Sequence, residues 1–302
     1  PDFAEREQVC KKILSLSKNM GPVEYDQIRQ TKYYEIIRYS VNYLGDNFRS
    51  NNQLQDYFDL IRGIKEIKNT NNTFLVKLTD KLIGKYKKRK DLFNEIVNLC
   101  QDITSFCEKT NNISMKSQIQ TRLAEIYFIH EHYSQSLEIC NKVVFDLKRY
   151  EDNLGLIKLL LLESKIYYAT NGISKSKAAL TSVKTLVTKV YIEPKLQANI
   201  DLHAGILAAY EKDYNLAYSY FFEAFDVYNI PTQRKKEKAL KAFLYMIMSK
   251  IVGDRIEEVN NVVLSKQGKD YYGNEVEALR SIEAAIKEQS IKLLKENIQK
   301  NI

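Results

Sequence analysis

Glu211–Phe225, EKDYNLAYSYFFEAF, is the stretch whose reading decides the fold. Tyr214, Ala217, Phe221, Ala224 and, just beyond, Tyr228 recur three or four residues apart, which puts them on one face of a helix turning every 3.6 residues. A face that apolar must be buried, and one helix pair cannot cover it alone. The segment therefore predicts neighbouring units stacked beside it.

The same five positions recur upstream. Ile173, Ser176, Leu180, Val183 and Val187 repeat them one unit earlier, preceded by Tyr133, Ser136, Cys140, Val143 and Leu147, and by Phe93, Ile96, Cys100, Ile103 and Cys107. Leu54, Tyr57, Ile61, Ile64 and Lys68 give a weaker copy, so the anchors stand about 39 to 41 residues apart. A second column keeps the same register. Nine residues before each anchor stands a small residue, Gly45, Gly84, Ala124, Ser164 or Gly205, which lets the first helix of a unit approach the second closely.

This pattern predicts an all-α solenoid of TPR-like helix-turn-helix repeats of about 40 residues, in one body over 1–302. The units fall roughly at 24–70, 72–110, 115–150, 154–191, 195–229 and 235–267, followed by C-terminal helices over 273–302. The unit at 235–267 keeps the anchor face in Ile256, Val259 and Val263 but loses the small residue. Asn111-Asn112, Asn171-Gly172, Gly45-Asp46-Asn47 and Asn51-Asn52 supply left-handed or capping geometry between helices, and Pro194 suits a first helical turn. No alternating β-branched run bounded by hairpin turns appears.

Composition bears on the site. Cys100, Cys107 and Cys140 lie on the buried face and read as small core residues rather than a disulfide framework, which implies a reducing setting. No apolar run approaches the roughly 18 residues needed to cross a bilayer, and no membrane is expected as a partner. His130 and His132 point in different directions from a helix end and make a poor zinc set with Cys140. Asp201 and His203 do not face each other along one helix. Gly268–Gly273, GKDYYG, lacks the strand context of a phosphate loop. The sequence thus offers no catalytic, cofactor-binding or metal residue, and the expectation is a protein that is not an enzyme.

The formal net charge is +8. Lys85, Lys87, Lys88, Arg89 and Lys90 crowd one short segment, and Arg234, Lys235, Lys236 and Lys238 open a predicted helix, where positive charge opposes the helix dipole. They are candidates for docking on an acidic partner, set against the plainer reading of a solvated helix end. Nucleic acid is the weaker alternative, because these segments lack interleaved aromatics and the tyrosines sit mostly at core-face positions. Gly84, Phe93, Ala124, Tyr133, Ser164, Ile173, Gly205, Tyr214, Ala217 and Phe221 are the residues expected to pack repeat on repeat. Tyr218, Tyr220 and Phe222 lie off the anchor column and are expected on the next unit.

Leu162-Glu163-Ser164-Lys165, Lys177-Ala178-Ala179-Leu180-Thr181-Ser182, and Glu211-Lys212-Asp213-Tyr214 with Ala217 to Phe225 resemble the non-ATPase regulatory subunit 11 family of the 26S proteasome lid. The likeness is densest from about Leu159 to Lys250, and Tyr218–Phe225 is also similar to subunit 2 of the COP9 signalosome. The resemblance implies a right-handed α-solenoid that acts as a structural clamp reaching from the lid to the ATPase ring and the core-particle α-ring, in cytoplasm and nucleus, with no cofactor and no homo-oligomer. It also implies a PCI winged-helix domain, of which this chain shows no recognisable segment.

Overall fold

The computed structural model describes residues 79–80, 83–84, 87, 89–230 and 236–301. The weak repeat around Leu54 and the small residue Gly45 lie outside them. Every regular element among the described residues is helical. The chain divides into two compact units, Pro1–Ile166 and Tyr167–Ile302.

In the first unit, a short 3-10 turn, Lys90–Leu92, leads into α1 (Phe93–Lys109), followed by α2 (Ile113–Ile129), α3 (Tyr133–Arg149) and most of α4 (Asn153–Ala169). The second unit contains α5 (Ile173–Val187), α6 (Pro194–Tyr210), α7 (Tyr214–Asn229), α8 (Lys236–Val252), the one-turn α9 (Val259–Val263), α10 (Asn274–Lys287) and α11 (Ile291–Asn301). Phe93, Tyr133, Ile173 and Tyr214 are each the first residue of a helix, so the repeat seen in the sequence begins on a true structural boundary. The residues that follow in the columns, such as Ile96, Cys100, Ile103 and Cys107, or Ala217, Phe221, Ala224 and Tyr228, are buried, and only Val187, at the end of the Ile173 column, is half-buried. That burial is why the pattern persists.

The turns obey a single rule. Asn111, Glu131, Glu151, Asn171, Lys212, Asp254 and Gln289 have φ between 51° and 66°, the left-handed region. After each, the next amide reaches back five residues to a helix carbonyl, as in Asn112 N to Cys107 O at 2.9 Å, His132 N to Tyr127 O at 2.9 Å and Gly172 N to Tyr167 O at 2.7 Å. This is the Schellman closure, which satisfies carbonyls that a helix end would otherwise leave bare. The two turn pairs Asn111-Asn112 and Asn171-Gly172 take the geometry their composition predicts, whereas Glu131, Glu151 and Lys212 carry no such signature. After α5 the rule lapses. A longer link, 188–193, leads to Pro194 at the first turn of α6.

The small-residue column holds at three of its described positions. Ala124 and Ser164 are buried, and a Cβ at Gly205 would meet the Phe221 ring at 2.6 Å. The hydroxyl of Ser136 donates to Ala124 O at 2.7 Å, tying α3 to α2 where the small residue brings them together. Gly84 departs from the expectation. It is exposed, and a Cβ there would meet nothing within 4 Å, so no close helix approach depends on it.

The unit expected at 235–267 keeps its first helix, α8, but its second is reduced to a 3-10 turn, Ile256–Glu258, and the five-residue α9. Gly268 packs under the end of α9, where a Cβ would strike the carbonyls of Val262 and Val263 at 2.6 and 2.7 Å. A 3-10 segment, Gly268–Tyr271, then inserts Tyr271 beside Phe225 and Phe243, with its hydroxyl donating to Asn229 Oδ1 at 2.7 Å. The GKDYYG stretch is thereby a core plug. α10 and α11 pack on each other, and α10 also meets α8.

Candidate interaction surfaces

Two residues of the first basic cluster, Lys87 and Arg89, are engaged within their own unit. The Lys87 ammonium lies 2.6 Å from Glu125 Oε1, and Arg122 Nη1 lies 2.9 Å from the other oxygen of the same carboxylate. Arg122 also forks onto Asp80, with Nη2 at 3.2 Å. Burial alone would raise the Glu125 carboxyl, but the Lys87 and Arg122 charges outweigh it and hold the group below the ordinary carboxylate range. Arg89 pairs with Asp91, and Lys90 is exposed on the 3-10 turn. Lys85 and Lys88 lie outside the described residues. The cluster thus serves partly to stitch chain segments about 40 residues apart, as Lys87 to Glu125 spans 38 positions and Arg122 to Asp80 spans 42.

In the second unit, lysines are placed over tyrosine rings instead. Lys250 Nζ sits 4.0 Å from the Tyr218 ring centre and 2.6 Å from Glu258, with Lys250 itself buried. Lys184 lies 4.4 Å over Tyr220 and bonds its hydroxyl at 2.7 Å. Lys238, from the second basic cluster, turns inward over Tyr228 at 5.5 Å and donates to Asn199 Oδ1 at 2.7 Å. Lys175 over Tyr167 and Lys241 over Tyr245 complete the set. Significant cation–π contacts occur about once per 70–80 residues in folded proteins, so five lysines over rings in this unit form a dense set. Lys236 stays exposed at the start of α8, and Arg234 and Lys235 lie outside the described residues.

Two expectations about aromatics need correction. Among the described tyrosines, only Tyr228 and Tyr271 are fully buried, and the others are half-buried or exposed, because a phenol packs its ring while keeping its hydroxyl at water. Tyr218 does pack forward, against α8, but Tyr220 reaches back to Lys184 on α5. Phe222 stacks on Tyr218 at 6.4 Å and remains 47% exposed.

An apolar groove of about 310 Å3 lies in the second unit. Tyr210 of α6, Tyr214 and Phe221 of α7, and Tyr245, Met248 and Val252 of α8 form most of its wall, and Tyr168 meets Tyr210 edge to face at 6.3 Å. Nothing in the sequence flagged it. Tyr210, Met248 and Val252 stand outside the anchor columns, and their apolar character alone does not separate a groove from a core.

The remaining candidate groups make contacts within their own units. His130 and His132, expected to diverge, both meet Phe93, at 4.7 and 5.2 Å between ring centres, since the left-handed Glu131 folds the turn back on itself. His130 Nε2 also lies 3.0 Å from Lys87 O. No cluster of three or more metal-ligating side chains occurs among the described residues. Cys100, Cys107 and Cys140 are free and buried, and burial pushes the thiols of Cys100 and Cys140 up to about 12, far from nucleophilic thiolates. His203 is buried and meets Tyr168 edge-on at 6.1 Å. Asp201, also buried, accepts from Gln197 Nε2 at 2.8 Å. Burial, and secondarily the Glu223 charge, push its carboxyl up to about 6, while the Gln197 bond and Lys184 act the other way. No described helix is long and apolar enough to cross a membrane.

No family model matches the chain. It is similar to the 26S proteasome regulatory subunit RPN6 of Saccharomyces cerevisiae, 31% identical over 218 residues that span 72% of this chain and 50% of the relative. It is 32% identical over 197 residues to the 26S proteasome non-ATPase regulatory subunit 11 homolog of Arabidopsis thaliana, spanning 65% of this chain and 46% of the relative. The chain thus spans about half the length of the relatives it matches. Among solved structures, BtubC from P. vanneervenii superposes with a TM-score of 0.58 over 77% of this chain and 89% of its own at 11% identity. A Pyrococcus horikoshii signal transduction ATPase with a tetratricopeptide repeat sensor gives 0.55 over 99% of this chain and 46% of its own at 16% identity. At such identities these likenesses concern the fold alone.

Proposed function

Because this chain resembles the 26S proteasome non-ATPase regulatory subunit 11 family over most of its length, we propose that it is a non-catalytic scaffold subunit of the proteasome regulatory particle. In this reading it belongs to the lid and clamps the lid to the ATPase ring and to the core-particle α-ring, serving ubiquitin-dependent degradation in cytoplasm and nucleus. The observation that carries the reading is the identity of 30 to 32% to relatives whose names place them in that particle. A repeat array supports it physically, since stacked units offer long surfaces for protein contact rather than an enclosed reaction site. The engaged lysines weigh against nucleic acid as the partner. Exposed Lys90 and Lys236, with the rest of their two basic segments, are the docking candidates for acidic subunit surfaces.

Purification of regulatory particles through a tagged ATPase subunit tests this. The chain is expected to co-purify in stoichiometric amount with lid and ATPase subunits, with no nucleic acid. Recovery with signalosome subunits instead, or with neither complex, overturns the reading.

A further inference from the structure

We draw no further inference here: the strongest candidate, the apolar groove between α6, α7 and α8 in the second unit, carries none, since nothing in the structure shows what covers it.

Discussion

The first unit joins successive repeats through a chain of ions, Lys87 to Glu125 to Arg122 to Asp80, around an anchor column that includes Cys100, Cys107 and Cys140. The second joins them largely through rings, with Phe221, Phe225, Tyr228, Phe243 and Tyr271 in one core and lysines laid over tyrosines at its edges, and adds the ion pairs Lys177 to Glu211 and Lys250 to Glu258. The helix spacing is the same in both. What differs is the range of the force at the joints: ion pairs near the surface weaken with salt, whereas ring packing depends on apolar area and survives it. A repeat frame thus fixes where a joint falls and leaves its chemistry free.

Removing a ring should strain the comparison most. Phe225→Ala, at the meeting point of α7, α8 and the Tyr271 plug, is expected to cost about 3–5 kcal/mol in urea unfolding, with hydrogen exchange rising across the second unit. An equal loss in the first unit would mean the two regions do not unfold separately. Gly205→Val pushes a side chain into the Phe221 ring and should cost roughly 1–3 kcal/mol, read as a lower Tm. A silent Gly205→Val would show that the helices can separate there without penalty.

Asp201→Asn should act in the opposite direction. The folded carboxyl titrates near 6 against an ordinary 3.8, so the stability its proton supports is complete below about pH 4 and is lost as pH rises through 6. At pH 7 the ionised group is a burden on the second unit. Asn, which keeps the acceptor for Gln197, is therefore expected to be more stable than wild type by on the order of 2 kcal/mol at pH 7, with no gain at pH 4, as measured by melts across that range. A gain that persists unchanged at pH 4 would point to packing instead.

The smallest effect tests the ionic joint itself. Lys87→Met should cost about 0.5–1 kcal/mol at low salt and nearly nothing in 1 M salt, while Lys250→Met in the second unit should remain harmful at both. Equal salt dependence at the two sites would erase the distinction drawn between the units.

The frame was legible in the sequence because burial imposes a period, and Phe93, Tyr133, Ile173 and Tyr214 each open the helix their spacing marks. The collapse of the second helix after Asp254 was not, since Ile256, Val259 and Val263 satisfy the pattern yet carry only a 3-10 turn and a single turn of α-helix. The surfaces were harder still. A lysine has the same letter whether it faces solvent, like Lys236, or lies over a ring, like Lys238, and only its partner distinguishes the two. The groove around Met248 and Val252 escaped notice for a related reason, because periodicity reports that a residue is apolar and not whether anything covers it.

The seven left-handed turns among the described residues have a bearing on how such a protein is made. Each is closed by amides that reach carbonyls three to five residues back, so a helix end needs nothing from later in the chain to satisfy it. Consecutive helices then meet their neighbours over short loops, which keeps the closure entropy small. During synthesis at about 5–20 residues per second, a helix pair of about 40 residues takes a few seconds to emerge and can dock before the next is complete. Growth of the nascent chain would then proceed as addition to a folded end, and its exposed apolar surface at any moment would amount to little more than one unfinished repeat.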